Sequence, residues 1–207
     1  MKRFLGIICA VFVLFVIGCT TSTVTRRGTD EVIDLNERWN ETDERQSCEA
    51  LIQSALSSPS VAQFIEDYKA SHRGALPAAR VGEFTNITSD HNIDGSRIAK
   101  AMEIAIVNSG KLDFVAGGGT LEQLRAERDE QQNTGYASDA TVVDSASEIG
   151  AILLFTGQID SIRNQRDNRT VITYKVSAEL TNVETARRIW MDEHQITKDY
   201  QRANVRP

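Results

Sequence analysis

The run Ile172-Thr173-Tyr174-Lys175-Val176-Ser177-Ala178-Glu179-Leu180-Thr181 alternates without a break. Ile172, Tyr174, Val176, Ala178 and Leu180 fall on one side of an extended chain. Thr173, Lys175, Ser177, Glu179 and Thr181 fall on the other. An apolar face and a polar face at period two mark a half-buried antiparallel strand. Upstream, a polar turn at Arg163 to Asn168 separates it from the most apolar segment after the N-terminus, Ala151 to Ile162. There Ile152-Leu153-Leu154-Phe155 shows no alternation, which predicts a strand covered on both faces. Downstream, a turn at Glu184-Thr185-Ala186 leads to a last strand from Arg188 to about Thr197.

The chain ahead of this β-meander reads as mostly helical. Thr42 or Asp43 can cap a first helix that runs to about Leu56, with Cys48, Leu51 or Ile52, and Ala55 or Leu56 at helical spacing. Ser60 can cap a second, where Val61, Phe64, Ile65 and Tyr68 form a stripe at i, i+3, i+4, i+7. Arg80 to Thr85 is a modest strand. Asp94 can cap a helix with Ile98, Met102, Ala105 and Ile106 on one face, closed by Gly110. Leu112 to Ala116 is a short strand. Leu121 to Gln132 favours helix but carries few apolar residues; Glu122, Arg125, Arg128 and Asp129 offer i,i+3 and i,i+4 pairs, as on a solvated or partner-contacting helix. Another helix is expected from about Ala140 to Ile149. The order ααβαβααβββ predicts an α+β fold: a mixed or antiparallel sheet of about four to five strands flanked by helices.

The N-terminus has a different character. Met1-Lys2-Arg3 is followed by an uncharged stretch from Phe4 to Gly18. Fifteen apolar residues after a basic start read as a signal peptide, being short of the ~20 that span a bilayer comfortably; a tilted anchor is the alternative. Val16-Ile17-Gly18-Cys19 then resembles a bacterial lipobox: two aliphatics, a small residue that lets a peptidase approach, and the thiol that receives a diacylglyceryl chain. Cys19 is therefore the expected lipidation site. Acyl chains there would hold the protein to a membrane at ~0.8 kcal/mol per buried methylene. Thr20 and Thr21 follow where an Asp tends to retain a lipoprotein at the inner membrane, so the outer membrane is expected. Residues 1–18 form the signal peptide, 19–33 a lipid-anchored linker, 34–200 the globular domain and 201–207 a tail. Thr20 to Ile33 would reach ~50 Å fully stretched and ~20 Å as a flexible coil.

Composition excludes several classes. The 207 residues carry 23 Lys+Arg and 29 Asp+Glu, a net charge of −6. Cleavage before Cys19 removes Lys2 and Arg3 and no acid, which leaves 189 residues at net −8. This acidic balance argues against a general nucleic-acid binder. Three cysteines, one of them discarded and one lipidated, cannot build a disulfide framework, and Cys48 at helical spacing reads as core. Phe114-Val115-Ala116-Gly117-Gly118-Gly119-Thr120 joins a strand to a helix, but no Lys follows the glycines and the G-x-G-x-x-G spacing is absent; a tight loop is expected there, with no nucleotide or other cofactor. His72, His91 and His194 stand apart and match no metal-ligand pattern. Ser145, Ser147 and Ser161 lack the G-x-S-x-G context. Arg163, Arg166 and Arg169 share one predicted turn, either a solvated turn or a patch for an acidic partner. No catalytic residue is predicted.

Taken in order, several segments resemble the LpoB family of penicillin-binding-protein activators. They are Asp34 to Asp43, Phe84 to Ser89 with His91, Ile93 and Asp94, and Asn108 to Val115. The helix with Arg125, Glu127 and Arg128 follows, then Glu148 to Gly157, and finally Leu180 to Thr185 with Ile189 and Trp190. The resemblance implies a non-enzymatic envelope lipoprotein, without cofactor or metal, that docks as a monomer on a class A penicillin-binding protein. It would stimulate that synthase by favouring its more active state. The alternative is an envelope assembly or scaffold lipoprotein, since the same α+β core resembles domains of curli-secretion and Tol-system proteins. An enzyme whose site is assembled from distant residues is the third reading.

Overall fold

The computed structural model describes residues 24–28, 31–133 and 148–202. Two compact units divide the chain, Met1–Val32 and Ile33–Pro207. In the first, Arg27 pairs with Glu31 at 2.9 Å. The second contains the fold. Its described elements are α1 (Glu41–Ser57), α2 (Pro59–Ser71), β1 (Ala78–Asn86), α3 (Gly95–Ser109), β2 (Asp113–Phe114), α4 (Gly118–Asn133), β3 (Leu153–Arg166), β4 (Arg169–Asn182) and β5 (Arg188–Gln201). The sheet order is β2-β1-β3-β4-β5. Strand β1 runs parallel to β2 and β3, and β3, β4 and β5 are antiparallel. The fold is α+β with a mixed five-stranded sheet, as the periodicities predict.

Each inward residue of β4 is buried, and the outward ones from Val171 to Thr181 are half-buried. Opposite them Leu153, Phe155 and Ile159 of β3 point the same way, and Trp190 joins from β5. On that side α1 packs over β4 and β5, α3 over β1, and α2 against α1 and β5. Their stripes complete one core: Leu51, Ile52 and Ala55 from α1, Val61 and Ile65 from α2, and Ile98, Met102 and Ile106 from α3. Each fully buried Leu, Ile or Phe side chain contributes about 1.5–3 kcal/mol. Among the described residues no helix lies across the opposite sheet face. Leu154 there is half-buried while Leu153 and Phe155 are buried. Among the described residues the Ile152–Phe155 run is thus buried on one face and half-buried on the other, short of the covering on both faces that was expected.

Other corrections are local. Helix α1 starts earlier than expected, because Asn40 caps it: the Asn40 side chain accepts from the Asp43 N–H, and the Asp43 carboxylate accepts from the Asn40 N–H. Asp43 is the third residue of the helix, the far end of that capping box, and not the cap. Helix α2 begins at Pro59, with Ser58 at the cap position and no side-chain cap bond, so Ser60 is already helical. Asp94 and Gly110 do cap α3, Gly110 at φ 62°, a left-handed conformation that costs glycine nothing. The expected turn at 163–168 shrinks to Asp167-Asn168, and β3 and β4 pair to Arg166↔Arg169. The predicted helix at 140–149 falls on residues of which all but 148 and 149 lie outside those described. Asn40→Ala should cost about 1–2 kcal/mol in urea denaturation, through loss of the cap bond.

Candidate functional site

The features that set this domain apart gather where α1 begins. Residues 34–40 cross the inner side of the long β4–β5 ladder as a strap, held by one buried lysine. Lys198 stands on the inward-facing register of β5, opposite Ile172, and its side chain is 7 % exposed. Its Nζ donates to Asp34 Oδ1 at 2.6 Å and to the Arg38 carbonyl at 2.9 Å, and it pairs with Asp43 Oδ2 at 2.6 Å. Asn40 Nδ2 also donates to Asp34, at 2.7 Å. The hydrogen bond from Lys198 holds the Asp34 carboxyl below its ordinary value. Burial lifts that of Asp43, against the pull of Lys198 and the Asn40 N–H. Trp39 sets its ring edge-on to Tyr174 at 5.4 Å, and its backbone N–H donates to the Tyr174 hydroxyl at 3.2 Å. Burial pushes the Tyr174 hydroxyl up.

The loop after β1 closes against the strap. Asn86 organises it by donating to the carbonyls of Asp90 and Ile93, and Thr88 donates to Asn86 Oδ1 from both its N–H and its hydroxyl. Strap, loop and the β3–β4 hairpin then enclose a cavity of about 350 Å³. Arg38, His91 and Arg163 line it, with Asp90 and Ser161, over the ring of Tyr174. Glu37 on the strap is held below its ordinary value by its own N–H and then by Arg163 and Arg38; Arg163 pairs with it at 3.2 Å. His91 and Ser161 make no hydrogen bond to each other, so the two lie together without forming a nucleophile–base pair. Two of the segments that carry the family resemblance, 34–43 and 84–94, meet here.

The remaining candidates scatter. Arg163 and Arg169 pair with Glu37 and Asp199, while Arg166 lies 3.9 Å from its neighbour Asp167 at the exposed tip of the hairpin. His72 stacks on Tyr68 at 3.9 Å, and His194 lies on β5. Among the described residues no group of His, Cys, Asp and Glu could hold a metal ion. The glycine loop enters α4 at Gly118, and Arg80 Nη2 donates to the Ala116 carbonyl at 3.1 Å. Helix α4 buries no residue, and Glu148 receives both Arg125 and Arg128, at 2.9 and 2.7 Å. Ser145 and Ser147 lie outside the described residues, as does Cys19. Cys48 is 2 % exposed, and burial, with Glu44 and Glu49 adding, pushes its thiol up to about 12. With Cys9 and Cys19 replaced by Ala, the native chain should react with a disulfide reagent more than about a hundredfold more slowly than the denatured chain.

A family model described as the peptidoglycan-synthase activator LpoB matches residues 43–196. The chain belongs to the LpoB family. Among solved structures, this LpoB-family chain is similar to the LpoB C-terminal domain from Salmonella enterica: 16 % identity, 74 % of this chain and 98 % of that one, TM-score 0.42. The LpoB C-terminal domain from Escherichia coli matches at 15 % identity over 75 % of this chain and 99 % of that one, TM-score 0.43. Lipoprotein GNA1162 from Neisseria meningitidis matches at 15 % identity over 62 % and 88 %, TM-score 0.38. No curated protein matches the chain. Among the described residues of this LpoB-family chain, no helix is long and apolar enough to cross a membrane.

The strap latch of the LpoB-family domain escaped the sequence reading. Its one signal is Lys198 at the inward parity of β5, in register with Trp190 and Ile196, where an apolar residue is expected. Its partners lie 155 and 164 positions away, beyond any local pattern.

Proposed function

We propose that this chain is an outer-membrane lipoprotein, anchored through acyl chains on Cys19, whose monomeric domain binds a class A penicillin-binding protein and raises its peptidoglycan synthesis. The family match over residues 43–196 carries this reading. The chain performs no chemistry of its own: it binds the more active state of the synthase more tightly than the less active one, and so shifts the balance between them. Thr20 and Thr21 after Cys19 support the outer membrane, and residues 19–33 supply the tether.

The test is reconstitution. A class A synthase should co-purify with the full-length chain from solubilised envelope, and adding the chain should speed glycan polymerisation. Failure of both overturns the reading. Labelling with a fatty-acid analogue should be lost in Cys19→Ala; persistent label overturns the anchor.

A further inference from the structure

Helices α1 and α3 leave a groove between them of about 400 Å³. The stripe Ile98, Met102 and Ile106 of α3 points into the sheet, so the residues that face α1 are its neighbours Ala101 and Ala105. Opposite them stands Cys48. Two methyls and a thiol are too short to fill the space between helix backbones, and the groove stays open with an apolar floor. Ile104 forms its lip and is 54 % exposed; Val107, one turn further on the same side of α3, is 53 % exposed. Exposed aliphatic side chains that occur singly are ordinary on a protein surface, but here two of them border an apolar trough.

The rim is acidic. Glu41, Glu44 and Glu49 line the groove against one arginine, Arg45. Arg97 pairs with Glu44 at 3.0 Å and Arg45 with Glu49 at 3.6 Å, while Glu41 makes no ion pair among the described residues. Burial raises the Glu44 carboxyl, and Glu41 and Asp94 push it the same way. Glu44 and Glu49 act on Cys48 as well, so the negative potential reaches the floor.

We infer that this groove docks a helix of the synthase that carries an apolar stripe flanked by Lys and Arg. Its apolar side chains fill the trough between Ala101, Ala105 and Cys48 and cover Ile104, while its cations meet Glu41 and Glu49 at the rim. Helix-in-groove recognition needs this combination of an apolar seat and a charged border that fixes orientation. The inference rests on the proposed activator role and adds the surface and the chemistry of the partner.

The experiment measures binding of the full-length protein, in detergent, to a purified class A penicillin-binding protein. Ile104→Ser alters an exposed side chain and should weaken binding about tenfold. Glu41→Lys/Glu49→Lys should weaken it by at least as much and flatten the dependence of affinity on salt. Glu66→Lys/Asp67→Lys makes the same charge change on α2 and should alter binding by less than about twofold. A photo-crosslinking residue at position 104 should capture a synthase helix bordered by Lys or Arg. Wild-type binding that survives both groove variants overturns the inference and leaves the activator role standing, as does capture of an acidic or extended segment. No binding by the wild type overturns both.

Discussion

Lys198→Met should lower the stability of the domain by about 3–5 kcal/mol at neutral pH. Methionine matches the length of the lysine stem, so packing against Ile172 is nearly kept and charge is the main loss. What remains is Asp43, 4 % exposed, with its ion-pair partner gone, and a strap without its latch. Removing one member of a buried pair costs far more than the pair itself contributes, because the other charge stays desolvated. A domain of this size has about 5–15 kcal/mol in all, so the variant should unfold at markedly lower urea. With the core Trp190 replaced by Phe in both chains, Trp39 reports the strap separately: its fluorescence should shift before the global transition. A loss below about 1 kcal/mol would mean that water reaches Asp43 and the latch is only a surface pair.

The pH dependence follows from the directions of the shifts. Asp34 is held low, so its contribution is present at neutral pH and is lost as pH falls through its folded value, below about pH 4. Asp43 is raised by burial, and removal of Lys198 raises it further. A raised folded value means that the folded state takes up the proton first, and stability recovers as pH falls through that value. The gap between Lys198→Met and the wild type should therefore narrow in urea titrations as the pH is lowered from neutrality towards the ordinary carboxylate range. A constant gap would show that Asp43 is not its source.

Gly95→Ala should cost at least about 3 kcal/mol. Gly95 opens α3 directly against β1. A Cβ there would stand 1.7 Å from the Phe84 carbonyl oxygen and 2.8 Å from its carbonyl carbon. Both contacts are backbone, and Phe84 is 3 % exposed in the core, so no rotamer change relieves them. Either α3 lifts from β1, exposing Ile98 and Met102, or β1 loses its register with β3. Gly119→Ala in α4 is the control, since no heavy atom lies within 4 Å of the added Cβ, and it should change stability by less than about 1 kcal/mol. Equal effects at the two positions would refute the steric account.

Elements whose faces meet different solvents were legible from residue order alone. Alternation over 172–181 specified β4 because one side meets the core and the other meets water. Ile98, Met102 and Ile106 between Asp94 and Gly110 specified α3 for the same reason, with caps that satisfy its ends locally. The lack of such contrast in 121–132 foretold a helix that buries nothing. Tertiary structure decided what depends on distant partners. Ala78 and Ala79 are strand residues because β1 lies between β2 and β3, and alanine carries no strand signal of its own. Helices α1, α2 and α3 share one side of the sheet, which no run of apolar residues in β3 could announce. The strap and the cavity beneath it depend on Lys198 meeting Asp34 and Asp43. The α1–α3 groove depends on which small side chains come face to face. Periodicity records how one segment divides between core and water; it does not record which other segment supplies the core, and the surfaces this domain presents are made by that choice.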